Sequence, residues 1–332
     1  MIRLAALATT ALVTFAFPAF ADNATITQTN ESISTATQHQ PGTGAGMATN
    51  DSAVIVQQTG SNDSASQEQA RLSYAQDFAY NSTQSITQTG NGSAQAGQTD
   101  NGVGDSQAIT QTSTVAGTSA NQSVDTAGGQ SNTQTSTQSN DSGATIAQAI
   151  GGSSTSLNNQ TAVQRSQTGS TISQTVVEAG SGNTQTATQN ATGSMNNISS
   201  VIASGFTNTV TQTQDANASG DNQSATLSSS GGNTVEQYQG MGSAANAQTA
   251  TLVSSFGGRA LQYQANGVTG GSQTISQDRT LESQAGQAQG NGGNVAQITQ
   301  TAGFGNVAVQ NQGLNPGDNG YMYVSAGAVT HN

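Results

Sequence analysis

The chain is predicted to be all-β, a β-solenoid of stacked two-strand rungs with about 25 residues per repeat and an amyloid-like core. Three observations predict this. First, a phrase that closes on Gln six residues after it opens recurs with first residues at 158, 183, 208, 233, 258 and 283, each step being 25. Composition does not hold a fixed step across five intervals, and such a period is the signature of a repeat architecture. Second, residues at offsets 0, 2, 4 and 6 of each phrase fall on one face if the segment is a strand. Those faces read alike: Asn183, Gln185, Ala187 and Gln189, then Asn208, Val210, Gln212 and Gln214, then Asn233, Val235, Gln237 and Gln239. Third, the phrases are separated by glycine-rich turns such as SSSGG (228–232) and SSFGG (254–258), and no apolar i, i+3, i+4 stripe follows the first twenty residues.

Taken in order, residues 1–21 read as a secretory signal peptide, with Arg3, an apolar run from Leu4 to Phe17, and Ala19 and Ala21 before Asp22. The apolar run is too short for a comfortable membrane span, so stable membrane insertion is not expected. Residues 22–312 form the repeat solenoid. Besides the regular phrases, it holds Asn306–Gln312 two residues early and looser copies upstream at Asn132, Asp105, Ser82, Ser52 and Ser32, twelve candidates in all. The expected ladder residues are Asn183, Gln189, Asn208, Gln214, Asn233, Gln239, Gln264, Gln289, Asn294, Gln300, Asn306 and Gln312, with Ser52, Gln58 and Gln69 upstream. A second, less regular phrase lies inside each repeat, clearest from Asn294 to Gln300. Residues 313–332 are a C-terminal tail with Tyr321, Met322, Tyr323 and Val324, either a cap over the open end or an assembly surface.

A rung of two short strands buries nothing alone, so rungs stack. Equivalent amides then lie above one another, and each Asn or Gln finds in an identical neighbour the partners its two donors and one acceptor need. The composition fits this better than a globular core or a disordered chain: 32% hydrophobic, 7% charged, three prolines and no cysteine. Without lysine, and with a formal net charge of −12, the chain has no basic patch for nucleic acid.

The pattern S-x5-Q-x-G-x2-N-x-A-x3-Q is met by Ser52, Gln58, Gly60, Ala65 and Gln69, with Asp63 in place of Asn. Asn294-x-Ala296-x3-Gln300 and Asn306-x-Ala308-x3-Gln312 meet its second half. This resembles the repeat of curlin, the subunit of bacterial curli fibres. The chain looks like a divergent curlin-like protein with about twice the usual number of repeats. It departs from curlin in placing Gln at the fourth offset (Gln212, Gln237, Gln262, Gln287, Gln310), where the family usually has an aliphatic residue. The resemblance implies a secreted, extracellular or cell-surface subunit that polymerises with itself for adhesion and biofilm matrix. It also implies a nucleator subunit and an outer-membrane secretion pore as partners.

No catalytic, metal or cofactor residues are expected. His39 and His331 lie near opposite ends, the acidic residues are dispersed, and the glycine pairs lack the strand, helix and lysine of a phosphate loop. Two rivals remain in view. One is a monomeric β-solenoid that binds a surface, of adhesin or ice-binding type, hinted at by TQTATQ (184–189). The other is an enzyme on a parallel β-helix, disfavoured by the scarcity of basic residues.

Overall fold

The computed structural model describes residues 23–29, 34–39, 52–69 and 81–331, apart from 115–116, 126–129, 153–154, 179, 191, 317 and 326–327. The expected signal peptide lies outside the described residues, as does most of the segment RLSYAQDFAYN (71–81), where the sequence concentrates Arg71, Tyr74, Asp77, Phe78 and Tyr80. Within them the structure is a β-solenoid with no helix. Twelve parallel strands, from Asn23–Thr29 to Val307–Gln312, form one sheet, and eleven, from Thr35–His39 to Val295–Thr301, form the other. The chain alternates between the sheets, so every strand pairs with the ones a full turn before and after it. At about 4.8 Å per strand, twelve levels make a column roughly 55 Å tall.

Alternation makes each strand. In Thr184–Gln189 the residues Gln185, Ala187 and Gln189 are buried while Thr184, Thr186 and Thr188 face outward, where β-branched side chains suit a pleated surface. From Thr184 to Gln264 the pairing holds a register of 25. Upstream, the glutamines that close successive first-sheet strands stand 29 and 31 residues apart (Gln28, Gln57, Gln88) without breaking register, because corners absorb the difference. Corners turn through left-handed residues, among them Ser204, Ser229 and Ser254 at φ 47–50°. At the corner of Gly231 the ring of Phe206 on the rung before it occupies the space that a Cβ would take.

The structure corrects two upstream phrases. Ser32–Gln38 is not a first-sheet phrase: Thr35–Gln38 lies in the second-sheet strand Thr35–His39, and among the described residues the first sheet begins instead with Asn23–Thr29. In Ser52–Gln58 the parity is reversed. Ala53, Ile55 and Gln57 are buried, whereas Ser52 is half-buried on the outward side and Gln58 is exposed. The phrase is offset by one residue from the regular ones, and a one-residue slip turns every side chain over. Gln69 ends its strand, and its side chain lies outside the described residues. Asp63 and Ala65 of the same match are buried.

The tail folds as an antiparallel hairpin, Met322–Ser325 with Ala328–His331, and does not cover the end of the column. It packs on the outward flank of the last first-sheet strands, where Met322 and Val329 bury Leu261, Tyr263 and Ala288. Asn311 holds it by two hydrogen bonds to the Met322 backbone, each 2.8 Å, and Arg259 donates to Val329 O (2.8 Å).

Candidate functional site

The interior is built of amide columns. In the first sheet a single ladder runs through Gln28, Gln57, Gln88, Gln111, Gln138, Gln164, Gln189, Gln214, Gln239, Gln264, Gln289 and Gln312. Each Nε2 donates to the next Oε1 at 2.6–3.1 Å. The expected ladder residues Gln189, Gln214, Gln239, Gln264, Gln289 and Gln312 are all members, and the true upstream member is Gln57, not Gln58. The second N–H reaches a backbone carbonyl of the facing sheet, as from Gln138 to Ser119 O (3.1 Å) and to Ala144 O (3.3 Å). Glutamine is long enough for both bonds, so the buried carboxamide is satisfied on both sides of its nitrogen.

These contacts also fix the stagger. Gln88 donates to Ser64 O and Ala94 O, and Gln164 to Thr145 O and Ser170 O, carbonyls belonging to two consecutive second-sheet levels. Each first-sheet strand therefore sits half a level between two second-sheet strands.

Asparagine forms a corner column. Asn158, Asn183, Asn208 and Asn233 each donate from Nδ2 to the Oδ1 one rung below, at 3.0–3.2 Å. The same Oδ1 atoms accept the backbone N–H of the rung above, ending with Asn233 and Gly258 N (2.6 Å). Asn306, expected in this column, is exposed on the last rung, and Asn294 is half-buried. Gln300 closes its strand by accepting from Gln277 (2.7 Å).

Further ladders lie beyond the expected ladder residues, although Gln185 and the fourth-offset glutamines from Gln212 to Gln310 were placed on the stacked face by the sequence. The middle position of the second sheet carries Gln38, Gln67, Gln98, Gln122, Gln148 and Gln174, linked at 2.7–2.9 Å. The first sheet adds Gln84 through Gln185 at its first position and Gln212 through Gln287 at its middle one. Gln67 and its successors recur at steps of 24 to 31, and that recurrence was the available signal.

The asparagine column starts on a carboxylate. Asp105 Oδ1 accepts from Asn132 N (2.6 Å) and Nδ2 (3.1 Å), and its Oδ2 is buried. Burial, together with the neighbouring charge of Asp100, pushes the Asp105 carboxyl up to about 8. Burial raises Asp100 as well. Asp141 is pushed up to about 6 by burial, against the lowering effect of the N–H of Gln167.

On the surface, Tyr238 and Tyr263 stack at 5.0 Å, and the Tyr238 hydroxyl donates to Asp215 (2.9 Å). With Glu236, Asn319, Met322 and His331 they line a cavity of about 240 Å³ under the hairpin. At one corner Phe206, Phe256, Leu281 and Phe304 form an exposed apolar ridge. Among the described residues no group of three or more His, Cys, Asp or Glu side chains could hold a metal ion.

The two ends are the chemically incomplete part of the column. At one, Asn23–Thr29 and Thr35–His39 are the outermost strands, and at the other, Val295–Thr301 and Val307–Gln312. Ile26, Gln28 and Gln38, like Ala308, Gln310 and Gln312, are only half-buried, whereas their counterparts inside the column are buried. Such edges are templates for further strands. No protein-family model matches the chain, and no curated protein matches it in sequence.

Proposed function

We propose that the protein is a secreted structural subunit that assembles with itself into extracellular curli-like fibres serving adhesion and biofilm matrix. The observation that carries this reading is that, among the described residues, no element covers either end: the column stops in mid-ladder, and the C-terminal hairpin lies on the flank rather than over the last strands. An added copy satisfies the edge backbone groups and amides that end the column. The curlin resemblance supports the extracellular setting and adds a nucleator subunit and an outer-membrane pore as partners; catalysis is not proposed. Electron microscopy and thioflavin binding on protein incubated at neutral pH test the reading, with fibres expected. Persistent monomer rejects it.

The second reading, a monomeric surface-binding solenoid, is favoured by the exposed ridge of Phe206, Phe256, Leu281 and Phe304. Its ice-binding form has weaker support. The outward threonines Thr135, Thr161, Thr186 and Thr211 align, but the next residue in that column is Glu236.

A further inference from the structure

Among the described residues the column contains an odd number of strands, twelve in one sheet and eleven in the other, staggered by half a level. This parity restricts how a second copy can dock. If the first strand of the next copy were laid on Val307–Gln312, sheet continuing sheet, its strand Thr35–His39 would stand roughly 9.6 Å from Val295–Thr301, leaving one strand missing. If the next copy is instead turned by half a revolution about the axis, Asn23–Thr29 falls one strand spacing from Val295–Thr301. Thr35–His39 then falls one spacing from Val307–Gln312. Strand directions remain parallel, because the two sheets run oppositely around the column.

The side chains agree with that turn. In the half-turned register Ile26 lies over Ile298, Gln28 over Gln300, Ala36 over Ala308 and Gln38 over Gln310. Segments 24–29 (ATITQT) and 296–301 (AQITQT) differ at one residue. Without the turn, Ile26 would lie over Gln310, and Gln38 would face Ile298 across the missing strand. Amide polarity fits too. Gln300 already donates one N–H to Gln284 O (3.0 Å), which leaves the other for Gln28 Oε1, while Gln28 Nε2 donates onward to Gln57 (2.6 Å).

We infer that the interaction surface for a second copy of this chain is the C-terminal end of the column, joined head to tail to the N-terminal end of the next copy with a half-turn that interchanges the two sheets. This rests on the self-assembly reading and specifies its joint. Each copy then advances the fibre by roughly 55 Å, from eleven and a half levels of about 4.8 Å.

The chain has no cysteine, so disulfide trapping has a clean background. Thr27 and Thr299 face outward, Val307 is exposed and would pair with Asn23 in the unturned register, and directly paired strand positions are close enough to be bridged. Full-length protein carrying Thr27→Cys with Thr299→Cys is compared with Asn23→Cys with Val307→Cys, each assembled and then oxidised. The inference expects covalent chains of copies from the first pair in fibres, none from its monomer, and none from the second pair. Circular dichroism of each variant confirms folding first. Covalent chains from the second pair, or from neither pair in fibres that do form, overturn the half-turned joint while leaving self-assembly standing. Failure of the parent protein to form fibres removes the self-assembly reading and the joint together. Fibre images provide an independent readout: a rise of about 55 Å with a half-turn beyond the column's own twist is expected, and the same rise without it overturns the inference.

Discussion

The two halves of the column solve one packing problem in opposite ways. In the N-terminal half the middle of the first sheet carries Ile26, Ile55, Ile86 and Ile109, facing Gln38, Gln67, Gln98 and Gln122 in the second. In the C-terminal half the glutamines have moved to the first sheet, as Gln212, Gln237, Gln262, Gln287 and Gln310, and Ile275 and Ile298 stand in the second. Small residues bridge the exchange: Ser136, Ala162 and Ala187 on one side, Ser200, Ala225 and Ala250 on the other. Each level needs one bulky apolar side chain to fill space, and each glutamine needs another glutamine above or below. The sheet that supplies which is free, provided the change passes through residues too small to clash. Two hydrophobic clusters accompany this exchange, one running from Ile55 to Ile198 and the other from Val124 to Ile298, side by side through the middle of the column.

Breaking the arrangement in the N-terminal half gives the largest expected effect. Gln98→Ile imports the C-terminal solution onto a level already filled by isoleucine. It overpacks Ile86 and Ile109 and leaves the amides of Gln67 and Gln122 without their middle partner. Thermal unfolding should register a loss of about 3 kcal/mol or more. The ladder common to both halves comes next. Gln239→Ala should cost roughly 1–3 kcal/mol for the amides of Gln214 and Gln264, and Gln239→Glu should cost more, because a carboxylate between them must be desolvated and cannot donate. Equal stability of the parent and Gln239→Glu at neutral pH would reject a structural role for the ladder.

The buried acids Asp100, Asp105 and Asp141 in the N-terminal half, and Asp221 in the C-terminal half, make stability depend on pH. Their folded carboxyls titrate above the ordinary 3.8, so the folded chain holds more protons than the unfolded one across that window. Stability is therefore fully present below about pH 4 and falls as the pH rises towards 8. Asp105→Asn continues the asparagine column downward and removes the charge beside Asp100. It should flatten the upper part of the decline in a series of melting temperatures from pH 4 to 9; an unchanged slope would contradict the assignment. The smallest effect belongs to the surface. Tyr238→Thr should cost about 1 kcal/mol, since it loses the Tyr263 stack and the bond to Asp215. Thr211→Ser on the same face should stay within about 0.5 kcal/mol.

The fold was legible because the period of 25 and the alternation of Gln with Thr persist through 158–289, where corners have constant length. Upstream, corners of varying length moved the phase, so Ser52 and Gln58 were placed inward while Gln57 holds the ladder. Strand parity depends on the corner before the strand, and a six-residue phrase does not carry it. The second-sheet glutamines were hidden for a related reason. Their ladder ends at Gln174, and a search tuned to the regular C-terminal half meets Ser200, Ala225 and Ala250 at that position. The lateral seat of the hairpin depends on Leu261, Tyr263 and Ala288, outward residues whose pattern alone does not distinguish a buried flank from a solvated one.

The glutamine ladders all donate in one direction, from the N-terminal end of the column towards the C-terminal end. Backbone amides in a sheet point alternately up and down and largely cancel. The side-chain carboxamides do not, and an amide dipole is about 3.5 D. The shorter asparagine column points the other way and offsets only part of the sum. The glutamine ladders therefore contribute a dipole of their own along the column, positive towards its C-terminal tip and negative towards its N-terminal tip. In the proposed head-to-tail fibres these contributions would add in series. Such fibres should align in a pulsed electric field, and their birefringence should show a permanent moment that grows with fibre length.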